Sequence, residues 1–204
     1  MYYANPCFVE VYRDEISQEE NFSRLQAFAE ETRNDQSLGN FILLNRSRYD
    51  VSPTLTVLGC TLWSALNEND LDILSWSLTD FRRIQSFDPT AYNNLHDTDR
   101  EWLNATVEEI AKAEPERKVV IFTHHAPTLM DTGDPKYLGQ PTNSAFATEM
   151  TLQKCWASGT VVMWAFGHTH WCCDFVRDGI RVYSNQRGYG DGGLGYKVSK
   201  IVEV

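Results

Sequence analysis

Two groups of histidines, His124-His125 and Gly167-His168-Thr169-His170, are the residues of this chain best suited to chemistry. Each group closes a short apolar run, Val119-Val120-Ile121-Phe122-Thr123 in one case and Val161-Val162-Met163-Trp164-Ala165-Phe166 in the other. Runs of that length, rich in β-branched and aromatic residues, read as buried strands. The histidines then lie just past strand C-termini, the edge where open α/β sheets hold their ligands. In an extended segment residues i and i+2 point the same way, so the imidazoles of His168 and His170 are expected to converge. Convergent imidazoles on a rigid support suit a divalent metal. An H-x-H pair by itself is more often two half-exposed loop residues. Here four of the five histidines sit at the ends of two strands, and the metal reading is preferred. A zinc site of His168, His170 and a cysteine of the Cys172-Cys173 pair is a minor alternative.

The elements that must position these residues follow from capping and periodicity. Ser17-x-x-Glu20 is a capping box ahead of Phe22, Leu25, Phe28 and Ala29 on one helical face, ending near Asn34. Residues 41–44 and 55–58 read as strands, and residues 46–53 as a polar turn between them. Residues 66–79 read as a surface loop with a short helix. Thr98-x-x-Glu101 is a second capping box, opening a helix through Trp102, Leu103, Val107 and Ile110 that Pro115 stops. A Gly/Pro/Asp-rich loop spans 131–142, and a helix is expected over 144–156. Residues 173–176, 180–184 and 197–204 read as a closing meander of strands. Helix–strand alternation followed by a meander predicts a layered α/β protein with two packed sheets.

Composition bounds the rest. With 204 residues the chain is expected to form one domain. A net charge of −10 with no cluster of Lys or Arg argues against a nucleic-acid partner, while leaving room for a cation or a phosphorylated substrate held by one. No apolar run reaches a membrane span, no signal peptide is visible, and five scattered cysteines suit a reducing compartment; the cytoplasm is expected. Gly188-x-Gly190-x-x-Gly193 is not read as a dinucleotide motif, because a strand rather than a helix is expected after it. A flexible loop beside the site accounts for it as well as plain turn chemistry does.

Val119 to Pro127 (VVIFTHHAP), Gly167 to His170 (GHTH) and Ser184 to Tyr189 (SNQRGY) resemble the C-terminal half of the calcineurin-like metallophosphoesterases. The stretches Asn45-Arg46-Ser47-Arg48-Tyr49-Asp50 and Val57-Leu58-Gly59-Cys60-Thr61-Leu62-Trp63 are similar to those of fungal members. The resemblance implies an α/β/β/α sandwich, incomplete at the N-terminus, with the domain spanning 1–204 behind an unrelated head of residues 1–9. It implies metal ligation by His124, His168 and His170, with His125 pointing elsewhere or only bordering the pocket. It also implies a substrate pocket bordered by His125, Asn185, Arg187 and Gly188.

The family's D-x-H and G-D-x-x-D blocks have no counterpart in this sequence. Where its G-N-H block is expected, Phe8 and Val9 stand in place of asparagine and histidine, and neither can ligate or protonate. Without a bridging aspartate, at most one divalent ion (Mn, Fe or Zn) is expected. The implied function is a metal-dependent hydrolase of phosphate mono- or diesters, acting on a phosphorylated small molecule or similar phosphoester. The chain as written is expected to be inactive. The alternative is a non-catalytic pseudo-phosphoesterase serving as a binding module.

Overall fold

The computed structural model describes residues 2–4, 17–35, 37, 41–189 and 195–204. Phe8, Val9 and the last two glycines of the Gly188–Gly193 motif lie outside the described residues.

The described residues form a six-stranded mixed sheet and a separate two-stranded parallel pair. The pair joins β1 (Tyr2–Ala4) to β2 (Phe41–Leu43). The six-stranded sheet contains β3 (Ser47–Ser52), β4 (Leu55–Cys60), β5 (Lys118–Thr123), β6 (Val161–Ala165), β7 (Cys173–Arg177) and β8 (Ile180–Ser184). Their spatial order is β3-β4-β5-β6-β8-β7. The four central strands β4, β5, β6 and β8 run parallel, and β3 and β7 close the edges antiparallel. The expectation of an α/β protein therefore holds. The two face-to-face sheets of a sandwich are corrected to one large mixed sheet, because the predicted last strand does not form. Residues 197–204 are irregular, with Asn185 exchanging two hydrogen bonds with the Lys197 backbone.

One face of the sheet is covered by α4 (Pro89–Ala113) and α5 (Lys154–Ala157). Leu103, Val107 and Ile110 recur at helical spacing on α4 and pack on Leu58, Val119, Ile121, Trp164 and Val182. The N-cap of α4 lies ten residues before the predicted Thr98. Asp88 is its N-cap, accepting a hydrogen bond from the Ala91 amide, and Pro89 follows with φ already set. Thr98 is mid-helix and bonds back to the Asn94 carbonyl at 2.7 Å. Ser17 is the N-cap of α1 (Gln18–Asn34) as read, accepting from the Glu20 amide, while the Glu20 carboxylate pairs with Arg24 instead of closing the box. A second apolar cluster of Trp63, Leu66, Leu74, Leu78, Ile84, Phe87 and Tyr92 gathers α2 (Leu71–Ser77) and α3 (Asp80–Arg83) near the start of α4.

Two further differences have local causes. Residues 47–52 form an edge strand rather than a turn. Their polar composition suits a strand with one solvated side, and Arg48 pairs with Asp50 along it. The predicted helix over 144–156 is replaced by a 3-10 turn at Pro141–Ala145 and the short α5. Between them, the amides of Thr148 and Met150 bond to the carbonyls of Ala126 and Pro127, so they are unavailable to a helical ladder.

Gly59 is required by packing on the other face of the sheet. A Cβ there would lie 2.6 Å from Leu44 Cβ, inside the smaller core of Leu44, Val57, Val120, Met163 and Ala165. Gly59→Ala is expected to lower stability by about 1–3 kcal/mol through overpacking, read from urea denaturation midpoints. An unchanged midpoint would contradict this packing.

Candidate metal centre

The C-terminal ends of β4, β5, β6 and β8 are stitched together by backbone bonds beyond the strands. The Thr61 carbonyl accepts from the amides of both His124 and His125, at 3.2 Å each. The His124 carbonyl accepts from the Gly167 amide at 3.0 Å, and the Tyr183 carbonyl from the Phe166 amide. The chain bends at residues 124–125, so two successive side chains that a strand would point apart turn to the same side. Thr123 pins that bend: its hydroxyl donates to the His125 carbonyl and accepts from the indole N–H of Trp164.

The outcome is a group of three imidazoles, His124, His125 and His168, whose ligand atoms all lie within 4.8 Å of one another and which could hold a metal ion. Ring centroids are 4.7 Å apart for His124–His168 and 4.3 Å for His125–His168. Of the expected ligands, His124 and His168 are brought together; His170 lies outside the group and His125 stands in it. The premise behind convergence of His168 and His170 was an extended segment. Both residues instead have left-handed backbones, with φ of 67° and 52°, and the Thr169 amide bonds back to the Gly167 carbonyl. His170 is exposed on the rim. Its amide donates to the Gln186 side chain at 2.7 Å, and its ring meets Tyr189 edge-on at 4.5 Å. Of the expected pocket residues, Gly188 packs against His170, Asn185 holds Lys197, and Arg187 is exposed.

The donor chemistry fits a cation. Burial first, then the neighbouring rings of His168 and His170, hold His124 well below its ordinary pKa. His125 is depressed by burial, then by His168, His124 and His96, with the Ala145 carbonyl opposing. Burial and then His170 push His168 down to about 4. Neutral imidazole is the ligating form. His125 is 1% exposed, and its Nε2 is buried with no hydrogen-bond partner, while its Nδ1 lies 2.8 Å from Ser64 Oγ. One nitrogen is held by Ser64 and the other makes no hydrogen bond, although the Ala145 carbonyl acts on the ring, which leaves that nitrogen able to ligate. With metal–nitrogen bonds of ~2.0–2.1 Å, enclosing an ion asks the group to tighten by on the order of an ångström.

The surroundings are apolar. Phe146 stacks on His168 at 4.6 Å, and Trp63 and Tyr92 border His125 at 5.7 and 6.1 Å. No carboxylate joins the group among the described residues. Sequence reading missed Ser64, Phe146, Tyr92 and the α4 residues His96 and Asp99. His96 Nδ1 reaches the carbonyls of Leu62 and Trp63, and Asp99 accepts from the Leu62 amide, so α4 fixes the left-handed turn at Leu62-Trp63. His96, the fifth histidine, was the one available signal.

These neutral rings, half-buried at His124 and His168 and buried at His125, make stability depend on pH. Unfolded, they titrate near 6.5; folded, His168 titrates near about 4. Between those values the unfolded chain binds protons that the native chain excludes, so unfolding becomes easier as pH falls. His168 alone accounts for roughly 3 kcal/mol across that window. Metal-free denaturation midpoints are expected to hold steady above pH ~7 and to fall from about 6.5 toward 4. A midpoint indifferent to pH over that range would contradict neutral burial.

Comparison with known proteins places the fold and corrects the family. No family model matches the chain. The uncharacterized protein L509 of Acanthamoeba polyphaga mimivirus is 28% identical over 163 residues, covering 76% of this chain and 57% of that protein. The crystal structure of phosphopantetheinyl hydrolase (PptH) from Mycobacterium tuberculosis superposes with a TM-score of 0.56 at 16% identity, over 83% of this chain and 61% of that one. The chain thus spans less than two thirds of either relative. At that identity the likeness to the hydrolase is one of fold. The identification as a fungal-type calcineurin-like metallophosphoesterase is corrected accordingly: what the chain shares is the fold of this hydrolase, built on one mixed sheet rather than a pair of packed sheets. No helix of the described residues is long and apolar enough to cross a membrane.

Proposed function

We propose that this chain holds one divalent cation through His124, His125 and His168 and hydrolyses a phosphate ester beside it. The observation that carries the reading is the trio of convergent imidazoles, His125 buried with an orphaned Nε2 and His124 and His168 half-buried, at the C-terminal edge of parallel strands. A bound cation would supply Lewis acidity toward an ester oxygen. The chain's own part is positional and electrostatic. The three rings are donors without charge, so the charge of the ion is left to attract an anion. Trp63, Tyr92 and Phe146 exclude water behind them, which strengthens that attraction. His170 with Gly188 beside it, and Asn185 and Arg187, would form the rim on which the ester rests. The fold shared with a phosphopantetheinyl hydrolase supports a phosphoester as the substrate class.

The test is elemental analysis after dialysis, then hydrolysis of p-nitrophenyl phosphate, bis-(p-nitrophenyl) phosphate and 4′-phosphopantetheine with Zn, Mn or Fe. One ion per chain and turnover that His168→Ala abolishes are expected. Absence of metal in the wild-type chain would overturn the proposal. The lack of a carboxylate in the group favours a second reading, a metal-dependent phosphoester-binding module. Calorimetry showing metal-dependent ester binding without turnover would select it.

A further inference from the structure

We propose that Ser64 is the positioning residue that presents His125 Nε2 to the cation. This rests on the reading of the three histidines as a metal centre. Ser64 is fully buried, and its hydroxyl lies 2.8 Å from His125 Nδ1. A neutral imidazole carries one N–H. If the hydrogen is on Nδ1, Ser64 accepts it and the Nε2 lone pair is free to ligate. If it is on Nε2, Ser64 donates to Nδ1 and His125 has no free lone pair to offer an ion. The serine hydroxyl can serve either arrangement, but only the first is compatible with an ion. Ser64 is the hydrogen-bond partner Nδ1 has among the described residues.

The hydroxyl is also held in place from both sides along the chain. On one side the Leu62 amide is bound to Asp99, and the Thr61 carbonyl receives the His124 and His125 amides. On the other side the Ala65 amide bonds to Thr148 Oγ1 at 2.8 Å, and the Leu66 amide to Asn93 Oδ1 at 2.9 Å. A hydroxyl so anchored fixes the tilt of the ring, and once an ion occupies Nε2 it accepts the proton that must then sit on Nδ1. Partners of this kind are worth about 10–100-fold in metal affinity.

The experiment titrates Co²⁺ into the full chain and its variants Ser64→Ala, Ser64→Thr and His125→Ala, following visible absorption. It adds ¹⁵N NMR of the imidazoles in the metal-loaded wild type. Ser64→Ala is expected to weaken Co²⁺ binding about 10–100-fold and shift the visible band. Ser64→Thr, which keeps the hydroxyl, is expected to restore most of the affinity, and the NMR to place the His125 proton on Nδ1. Ser64→Ala binding Co²⁺ as tightly as wild type, while His125→Ala does not, would overturn the role of Ser64 alone. His125→Ala binding as tightly as wild type would overturn the centre itself. If Ser64→Ala does not fold, the wild-type spectrum decides: a proton on Nε2 of His125 refutes the proposal.

Discussion

Replacing His125 with alanine is expected to weaken Zn²⁺ or Co²⁺ binding by on the order of 10³-fold, whereas His170→Ala is expected to change it by less than about tenfold. The contrast follows from placement. His125 is buried inside the group with an unpartnered Nε2, and His170 is exposed on the rim beside Tyr189. Structural zinc sites bind with ~10–16 kcal/mol, so one of three protein ligands carries several kcal/mol of that total. His170 stands close enough to depress His168 electrostatically, which sets a modest effect rather than none. Calorimetric or competition titrations of both variants read the difference directly. Excess Zn²⁺ should also raise the thermal midpoint of wild type and of His170→Ala, and leave that of His125→Ala unmoved. The reverse ranking would return the ligand set to the three histidines expected from the resemblance.

The second large effect lies at Asp99. Its carboxylate is fully buried and accepts from Arg46 and from the Leu62 amide, both at 2.7 Å. Burial raises its pKa, and Arg46 opposes that rise. A pair with this balance adds little net stability while intact. Asp99→Ala is nevertheless expected to cost about 3–5 kcal/mol, because it strands a partly buried guanidinium and a buried amide. Asp99→Asn keeps an oxygen for the Leu62 amide and is expected to lose clearly less. Urea denaturation of the two variants gives the comparison. Metal affinity should fall alongside stability in Asp99→Ala, since the Leu62-Trp63 turn carries Ser64. Equal losses in both variants would mean that the charge pair, not the amide, is what matters.

Much of the architecture was legible in local sequence. The apolar runs before His124 and Gly167 are strands, and the histidines do emerge at their C-terminal ends. Where reading failed, non-local contacts decided. The edge strand of residues 47–52 looks like a turn because a solvated strand need not be apolar. Thr98-x-x-Glu101 looks like a helix start, yet Asp88-Pro89 is the stronger one, and nothing local ranks them. The site was legible only in part, with His124 and His168 in the group and its third histidine different from the one expected. Convergence of His168 with His170 assumes an extended backbone, and the left-handed φ values at both depend on bonds to Gln186 and on the local turn. His125 reads as pointing away from His124 until the bend that Thr123 and Trp164 hold is seen. Motif resemblance carried the α/β class, but the two packed sheets and the family it implied go further than the fold supports.

The stitching of Thr61 to His124, His124 to Gly167, and Tyr183 to Phe166 has a kinetic corollary. These contacts join segments far apart in the chain and complete only after all four parallel strands are in register. Such non-local closure comes late in folding. A cation entering the centre would therefore stabilise the native state more than the transition state. It should slow unfolding in proportion to its affinity and leave the refolding rate nearly unchanged, lowering the unfolding arm of the chevron plot and not the folding arm.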